Sequence, residues 1–373
     1  MTVEPVVQER KRRPWVTLLG VLIALLIGLL LAEGLVRAAD ALGVVDLSPS
    51  LAELPAASQD EIVELSGDTA LYISDPTLHH RMAANWSGVF PEEIVQEVGR
   101  SEVPIRTNSL GLRSPEVEYD KPAGTTRILV LGDSVAFGWG VRGEDTFASQ
   151  LASLLATVYP DQRFEVINAG VSGYGTWQEL QWLKQTGVDL QPDVVIVQAH
   201  LNDAADNLWG TLGQDLSGGS WLTRVSMLAR LVSRVAGSQL SSSSSDEPCQ
   251  RDWRIGTDEV CWDRTEALLT QLKTVAQGAG AQVVLMPSPM RWQVEPDVRD
   301  QRSWVDKARY QDVLADYALL NDWLYADPLP AVRSAYQSSG QSQFLDVGHP
   351  DEAGQRIIAQ ELYRVLSQSD VLP

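Results

Sequence analysis

The chain has 373 residues, of which 44% are hydrophobic and 21% are charged, and this composition fits neither a disordered chain nor a polytopic membrane protein. Its 29 Lys and Arg residues against 49 Asp and Glu residues give a formal net charge of −20, which argues against nucleic acid as a partner. The length predicts one large or two modest domains with enough material for a buried core.

The N-terminal segment carries a membrane signal. Residues 15–32 (WVTLLGVLIALLIGLLLA) are uncharged, and as a helix they would span roughly 27 Å, close to the hydrocarbon thickness of a bilayer. Basic residues at 10–13 precede this run, so the positive-inside rule predicts a cytoplasmic N-terminus and an extracytoplasmic body. We therefore predict a cytoplasmic tail at 1–14, a single transmembrane helix at 15–36 and a linker at 37–68, which places the protein at the cell membrane. The alternative is a cleaved signal peptide, because residues 39–41 (ADA) have the small-x-small pattern of a cleavage site.

From residue 125 onward, short apolar runs alternate with helical stripes. The runs at 128–131, 166–167, 194–197 and 283–286 have the character of buried parallel strands. Apolar residues recur at helical spacing within 147–158, 268–275 and 357–366. This alternation predicts a doubly wound α/β sheet, in which a ligand crevice lies outside the carboxyl ends of the strands.

A serine follows the first of these predicted strands, in the sequence GDS at residues 132–134. Ser134 lies where a strand turns into a helix, so we expect its hydroxyl at the sheet edge, near helix N-terminal N–H groups that favour negative charge. The tripeptide alone is weak evidence, because a turn with Asp133 or Ser134 as a helix N-cap explains it equally well.

Three further motifs follow predicted strands or precede the last helix. Residues 168–175 (NAGVSGYG) form a Gly-rich loop that lets a backbone N–H approach a ligand. Residues 200–203 (HLND) offer the Asn202 amide as a donor to an oxyanion. Near the C-terminus Asp346 precedes His349 by three residues, a spacing at which the carboxylate could orient the imidazole and stabilise its charged form.

In this order, the four motifs resemble the four blocks of the SGNH hydrolases, also called GDSL-type esterases, over about residues 125–366. The sequence resembles the membrane-anchored bacterial members of this family. The resemblance implies a three-layer α/β/α, flavodoxin-like fold with a central parallel sheet, preceded here by one transmembrane helix. It implies Ser134 as the nucleophile, His349 as the general base and Asp346 as the acid that orients the base. It also implies an oxyanion hole built from the Ser134 N–H, the Gly173 N–H and the Asn202 side chain.

The sequence departs from this family pattern in two places. His200 stands where a glycine is usual, and it could narrow the acyl pocket, contact substrate or pack against its neighbours. Residues 204–262 are too long for an ordinary connection and are predicted to be an insertion in the hydrolase domain at 125–373. The insertion carries Cys249 and Cys261, which we expect to form a disulfide outside the cytoplasm. Its basic amphipathic stretch at 221–235 could be a lid, a membrane-surface contact or a packed helix.

Residues 69–124 are predicted to form a lead-in segment that packs on the catalytic domain. It contains the pair His79 and His80, which could suggest a metal site. Adjacent residues on a regular element point apart, however, and no carboxylate-His spacing supports a metal, so we assign neither a metal nor a cofactor.

The sequence thus predicts a serine ester hydrolase, an acyl or acetyl esterase, that acts outside the cytoplasmic membrane through a covalent acyl-enzyme. Its expected partner is an ester-bearing small molecule or a cell-envelope polysaccharide. Two alternatives stay open: an O-acyltransferase or O-acetyltransferase, in which a sugar hydroxyl replaces water, and a non-catalytic envelope-binding module. The joint presence of Ser134, Asn202, Asp346 and His349 argues against a module that only binds.

Overall fold

The structure is a computed structural model that describes residues 71–90, 102–200, 203, 259–298 and 309–372, together with Gly28 and residues 32–35. The predicted tail at 1–14 and linker at 37–68 lie outside the described residues. The predicted transmembrane helix at 15–36 is described only at Gly28 and residues 32–35, which are helical. Across the described residues, no helix has the length and apolar character needed to cross a bilayer. The N-terminal anchor therefore stays a prediction.

The body of the chain alternates strands and helices. The strands are β1 (Tyr72–Asp75), β2 (His79–Met82), β3 (Ser87–Val89), β4 (Pro104–Arg106), β5 (Thr125–Leu131), β6 (Arg163–Asn168), β7 (Val194–Ala199), β8 (Gln282–Pro287) and β9 (Leu324–Tyr325). The helices are α1 (Ser134–Phe137), α2 (Phe147–Val158), α3 (Thr176–Trp182), α4 (Glu259–Gly278), α5 (Arg291–Val294), α6 (Arg309–Leu320), α7 (Leu329–Ser339) and α8 (Glu352–Ser367).

A five-stranded parallel sheet forms the centre of the molecule, with strand order β6-β5-β7-β8-β9. Every residue of β7 is buried, because the sheet is covered on both faces and each side chain enters a core. The predicted strands at 128–131, 166–167, 194–197 and 283–286 are confirmed as parts of β5, β6, β7 and β8. The short edge strand β9 was not predicted.

The two faces of the sheet bury separate apolar clusters, because successive side chains of a strand point to opposite faces. Leu129, Leu131, Val195 and Val197 share one cluster with helices α3, α4 and α6. The second cluster contains residues of α2 and α8 and the strand residues that alternate with those of the first cluster, namely Ile128, Val130, Val194 and Ile196. Helices therefore cover both faces, and the predicted α/β architecture with a central parallel sheet is confirmed.

Two antiparallel hairpins precede the sheet. β1 pairs with β2, with Tyr72 opposite Met82, and β3 pairs with β4. Side chains from this part of the chain, including Leu71, Met82, Phe90 and Ile105, belong to the same apolar cluster as one face of the sheet. The lead-in segment thus completes the core on that face.

The predicted insertion at 204–262 lies outside the described residues, except that the backbone of α4 begins at Glu259. The basic amphipathic stretch at 221–235 falls in the same gap. So does Cys249, and only the backbone of Cys261 is described. The disulfide and the role of the insertion stay predictions.

Candidate active site

A tight strand-to-helix turn places Ser134 at the carboxyl end of β5. Gly132 has φ of +159°, and Asp133 caps helix α1 by accepting a hydrogen bond of 2.9 Å from the Val135 N–H. Ser134 is the first residue of α1, and it retains 5% of its accessible surface. The turn therefore holds the serine near the surface of an otherwise buried helix.

The side chains of Ser134, His349 and Asp346 form one hydrogen-bonded chain. His349 Nε2 lies 2.9 Å from Ser134 Oγ, and His349 Nδ1 lies 2.7 Å from Asp346 Oδ2. An ionised carboxylate only accepts hydrogen bonds, so Nδ1 carries the proton and donates it to Asp346. The lone pair of Nε2 then faces the serine hydroxyl, which is the arrangement required to remove its proton.

The turn before helix α8 fixes this carboxylate. Asp346 Oδ1 accepts the backbone N–H groups of Gly348 and His349, both at 2.8 Å. Burial would raise the pKa of Asp346, but the attraction of His349 and the hydrogen bonds from His349 and Gly348 outweigh it and hold this pKa well below its usual range. Asp346 is therefore ionised at neutral pH and stabilises a positive charge on His349.

An aromatic ring covers the imidazole of His349. Trp139 is 5% exposed, and its ring stacks on His349 with a centroid distance of 5.6 Å and an interplanar angle of 29°. Phe90 of the lead-in segment contacts the same tryptophan edge-on, at 5.2 Å between centroids. The stack limits the rotation of the imidazole.

The Gly-rich loop after β6 packs directly on the helix that carries Ser134. Asn168 Nδ2 donates to the carbonyl oxygen of Ala136 at 2.7 Å, and Asn168 Oδ1 accepts the Gly170 N–H at 3.0 Å. A Cβ on Gly170 would lie only 2.5 Å from the backbone nitrogen of Phe137, so this approach requires glycine. Gly173, further along the loop, has φ of +78°. The loop predicted to bring a backbone N–H to the site therefore contacts the nucleophile helix.

His200 lies beside the turn that carries Ser134, and its role stays a prediction. Its Nδ1 lies 3.4 Å from Asp133 Oδ2, and the side chain is 10% exposed. Its Nε2 lies 3.7 Å from the point that a Cβ on Gly348 would occupy, next to His349. Asn202, the third predicted oxyanion donor, lies outside the described residues, so its placement stays a prediction.

Two supporting residues were missed by the sequence reasoning. Gln198 Oε1 accepts the Asp133 N–H at 3.0 Å, which ties the nucleophile turn to β7. Arg113, 4% exposed, donates to the carbonyl oxygens of Gly138 and Val141 at 2.7 Å each. For Gln198, the available signal was a long polar side chain at the end of an apolar strand, in VVIVQA.

The described residues hold no group of three or more His, Cys, Asp or Glu side chains placed to bind a metal ion.

Comparison with known proteins adds a family assignment. Residues 130–357 match the model of the GDSL-like Lipase/Acylhydrolase family. No curated protein sequence matches the chain.

Among solved structures, the chain is similar to a catalytic mutant of Axe2, an acetylxylan esterase from Geobacillus stearothermophilus. The identity is 18%, the match covers 65% of this chain and 94% of that one, and the TM-score is 0.41. It is also similar to LAE5, an alpha/beta hydrolase enzyme from the metagenome of Lake Arreo, Spain, at 18% identity, with 67% and 97% coverage and a TM-score of 0.44.

The family match covers more than half of the chain and includes the serine, the Gly-rich loop and the histidine of the site described above. The chain belongs to the GDSL-like lipase/acylhydrolase family and is an ester-hydrolysing enzyme.

Proposed function

We propose that the protein is a serine esterase that works through a covalent acyl-enzyme. The observation that carries this proposal is the chain of hydrogen bonds from Ser134 Oγ to His349 Nε2 and from His349 Nδ1 to Asp346, at 2.9 and 2.7 Å. An unassisted serine is a poor nucleophile, and an imidazole oriented by a carboxylate is the group that activates it.

In the first half of the reaction, Ser134 Oγ attacks the ester carbonyl carbon while His349 Nε2 takes the hydroxyl proton. The carbonyl electron pair moves to oxygen, which gives a tetrahedral oxyanion. When the intermediate collapses, the bond to the alcohol oxygen breaks, and His349 returns the proton to the leaving alcohol. The acyl group is then held as an ester of Ser134.

In the second half, water takes the place of the alcohol. His349 removes a proton from water as the water oxygen attacks the acyl carbon, and collapse of the second oxyanion frees the carboxylic acid. The proton on His349 returns to Ser134 Oγ, so the enzyme is regenerated. Asp346 stays ionised throughout and stabilises the imidazolium.

The oxyanion is stabilised by the Ser134 N–H, the Gly173 N–H and the Asn202 side chain. Support for the two backbone donors is that neither N–H has an acceptor within the described part of the chain, which leaves both available to a substrate oxygen. Removal of one such donor costs about 10² to 10³ in rate.

His200 is the side chain that we assign to the wall of the acyl pocket. Its Nδ1 faces the carboxylate of Asp133, which precedes Ser134. Its Nε2 faces Gly348, which precedes His349. An imidazole in a place where the family usually has glycine leaves less room next to the reacting carbonyl, which favours a short acyl group.

The proposed place of action is outside the cytoplasmic membrane, with the chain anchored by one N-terminal helix. The support is the sequence alone, namely the apolar run at 15–32 and the basic residues at 10–13 that precede it. Protease treatment of intact cells, with and without permeabilisation, tests this orientation.

The experiment that tests the activity uses the full-length protein in detergent with a fluorophosphonate probe and p-nitrophenyl acetate. We expect Ser134→Ala to abolish labelling and turnover, and His349→Ala to reduce both by several orders of magnitude. Ser153→Ala, at an exposed position of α2, is the matched control and should behave as wild type. Labelling that persists in Ser134→Ala would contradict the assignment. Acyl transfer to an added sugar in place of hydrolysis would identify an O-acyltransferase instead.

A further inference from the structure

His80 is a fully buried histidine of the lead-in segment that contacts the Gly-rich loop. Its Nε2 lies 2.9 Å from the backbone carbonyl oxygen of Ser172, a residue 92 positions later in the chain. A carbonyl oxygen only accepts hydrogen bonds, so the proton of this contact belongs to Nε2, and His80 is the donor. Burial lowers the pKa of His80 to about 4, so the ring is neutral at physiological pH.

The peptide group that His80 contacts also carries the Gly173 N–H. The carbonyl of Ser172 and the N–H of Gly173 belong to one planar trans unit, in which the two bonds point in opposite directions. A donor that holds the carbonyl therefore also sets the direction of the N–H. A hydrogen bond to the carbonyl also polarises the peptide, which makes its N–H a stronger donor.

This peptide is the central one of a β-turn. The Tyr174 N–H donates to the carbonyl oxygen of Val171 at 3.1 Å, and Gly173 at the third position has φ of +78°. These are the features of a type II turn. Types I and II differ by a flip of the central peptide, so this unit has two accessible orientations, and in only one of them does the N–H of Gly173 have its observed direction.

A second contact joins the same two segments. The Tyr174 hydroxyl donates to the backbone carbonyl oxygen of His80 at 2.8 Å. The rings of Tyr174 and Tyr72 contact the imidazole edge-on, at centroid distances of 5.2 and 5.5 Å. His80 is thus held on both sides, and its ring cannot turn away from the Ser172 carbonyl without losing these contacts.

We propose that His80 is a positioning residue of the oxyanion hole, which holds the Ser172–Gly173 peptide so that the Gly173 N–H faces the developing oxyanion. This inference rests on the proposed function, in which Gly173 is an oxyanion donor. It assigns a role to the lead-in segment, which lies outside the residues matched by the family model.

The test compares two carboxamide substitutions in the full-length protein. The amide nitrogen of glutamine in His80→Gln reaches nearly the position of the imidazole Nε2, whereas that of His80→Asn stops one methylene short. We expect His80→Asn to lower kcat for p-nitrophenyl acetate by about tenfold to hundredfold with little change in KM, because an oxyanion donor acts in the transition state. We expect His80→Gln to restore kcat to within about threefold of wild type.

A spectroscopic measurement reads the peptide itself. With ¹⁵N-labelled glycine, the Gly173 amide nitrogen should shift upfield in His80→Asn, because it loses the hydrogen bond on the preceding carbonyl, and should stay near the wild-type position in His80→Gln. His79→Asn is the control, since it removes a neighbouring imidazole at a position where φ of +71° suits asparagine. It should leave both kcat and the Gly173 resonance unchanged.

The outcomes separate this inference from the proposed function. Equal kcat values in His80→Asn and His80→Gln, or a Gly173 resonance that does not respond to His80→Asn, would overturn the inference while Ser134→Ala still shows the serine mechanism. Turnover that survives in Ser134→Ala would overturn the proposed function instead, whatever the His80 variants show. Thermal unfolding of both carboxamide variants checks that the comparison is made between folded proteins.

Discussion

The contact between Gly170 and helix α1 makes a quantitative prediction. A Cβ built on Gly170 would lie 2.5 Å from the backbone nitrogen of Phe137 and 2.6 Å from the Cβ of Ala136, whereas ordinary contacts begin at 3.4 Å. The neighbouring atoms in Gly170→Ala are mostly backbone, so no flexible side chain can move aside. The loop and the helix must therefore separate by about 0.9 Å, the difference between 3.4 and 2.5 Å.

This displacement acts on the hydrogen bond between Ser134 and His349, because Ser134 begins the same helix. Ser134 Oγ lies 2.9 Å from His349 Nε2, and a full 0.9 Å added along this direction would give about 3.8 Å, which is too long for a hydrogen bond. A misplacement of about 1 Å costs roughly 10² in rate, and overpacking costs about 1–3 kcal/mol of stability. We expect Gly170→Ala to lose about a hundredfold in kcat/KM while it remains folded.

The assay measures kcat/KM for p-nitrophenyl acetate, the rate of fluorophosphonate labelling and the free energy of unfolding in one preparation. Gly143→Ala is the matched control, because a Cβ at that glycine meets no atom within 4 Å, and it should match wild type in all three. Wild-type turnover in Gly170→Ala would show that this contact does not set the position of Ser134, and would refute the reasoning.

Three further predictions concern the residues around the site. Trp139→Leu removes the ring stacked on His349 and should lower kcat by about twofold to thirtyfold, with a smaller loss in Trp139→Phe, as measured by steady-state kinetics. Because burial lowers the pKa of His80 from 6.5 to about 4, the imidazole takes up a proton in this pH range only when the chain is unfolded. The free energy of unfolding should therefore fall by about 3 kcal/mol as the pH drops from 6.5 to about 4. Equilibrium unfolding at about pH 7 and about pH 4.5 should show a smaller loss for His80→Gln, and an equal loss would contradict the shift. Arg113→Lys keeps the positive charge but loses the planar guanidinium, which donates to several carbonyl oxygens at once. We expect the free energy of unfolding, measured in urea, to fall by about 2–4 kcal/mol and kcat to fall as well.

The sheet could be predicted from the sequence because burial on both faces leaves a direct mark. β5, β7 and β8 each contain four consecutive apolar residues that are all buried, at 128–131, 194–197 and 283–286. In so short a segment, this pattern is typical of a strand that is covered on both faces. β9 has only two half-buried residues, Leu324 and Tyr325, at the edge of the sheet. Two residues carry no periodicity, so its place beside β8 depends on packing that the local sequence does not show.

The same distinction applies to the site. Ser134 lies three residues after the end of a strand, and Asp346 and His349 share one turn, so each could be proposed from a short motif whose spacing reflects its geometry. The contact between His80 and the Gly-rich loop joins residues that are 92 positions apart. Such contacts depend on how the lead-in hairpin packs on the sheet, so they cannot be predicted from a short sequence motif. An adjacent pair of histidines in a sequence suggests at most a metal site, whereas the ring of His80 is a buried hydrogen-bond donor.

The functional unit is therefore larger than the region in which the family motifs occur. The family model begins at residue 130, yet Arg113 holds carbonyl oxygens that follow helix α1, and His80 holds the peptide group that carries the Gly173 N–H. Phe90, from the same segment, packs against the tryptophan that stacks on His349. Each of the three sequence motifs that the structure describes at the candidate site is thus contacted, directly or through Trp139, by a side chain from residues 71–124. The reacting groups come from the motifs, but the precision of their arrangement depends on a segment that the motifs do not include, because active-site geometry must be fixed by neighbours whose own conformations are locked.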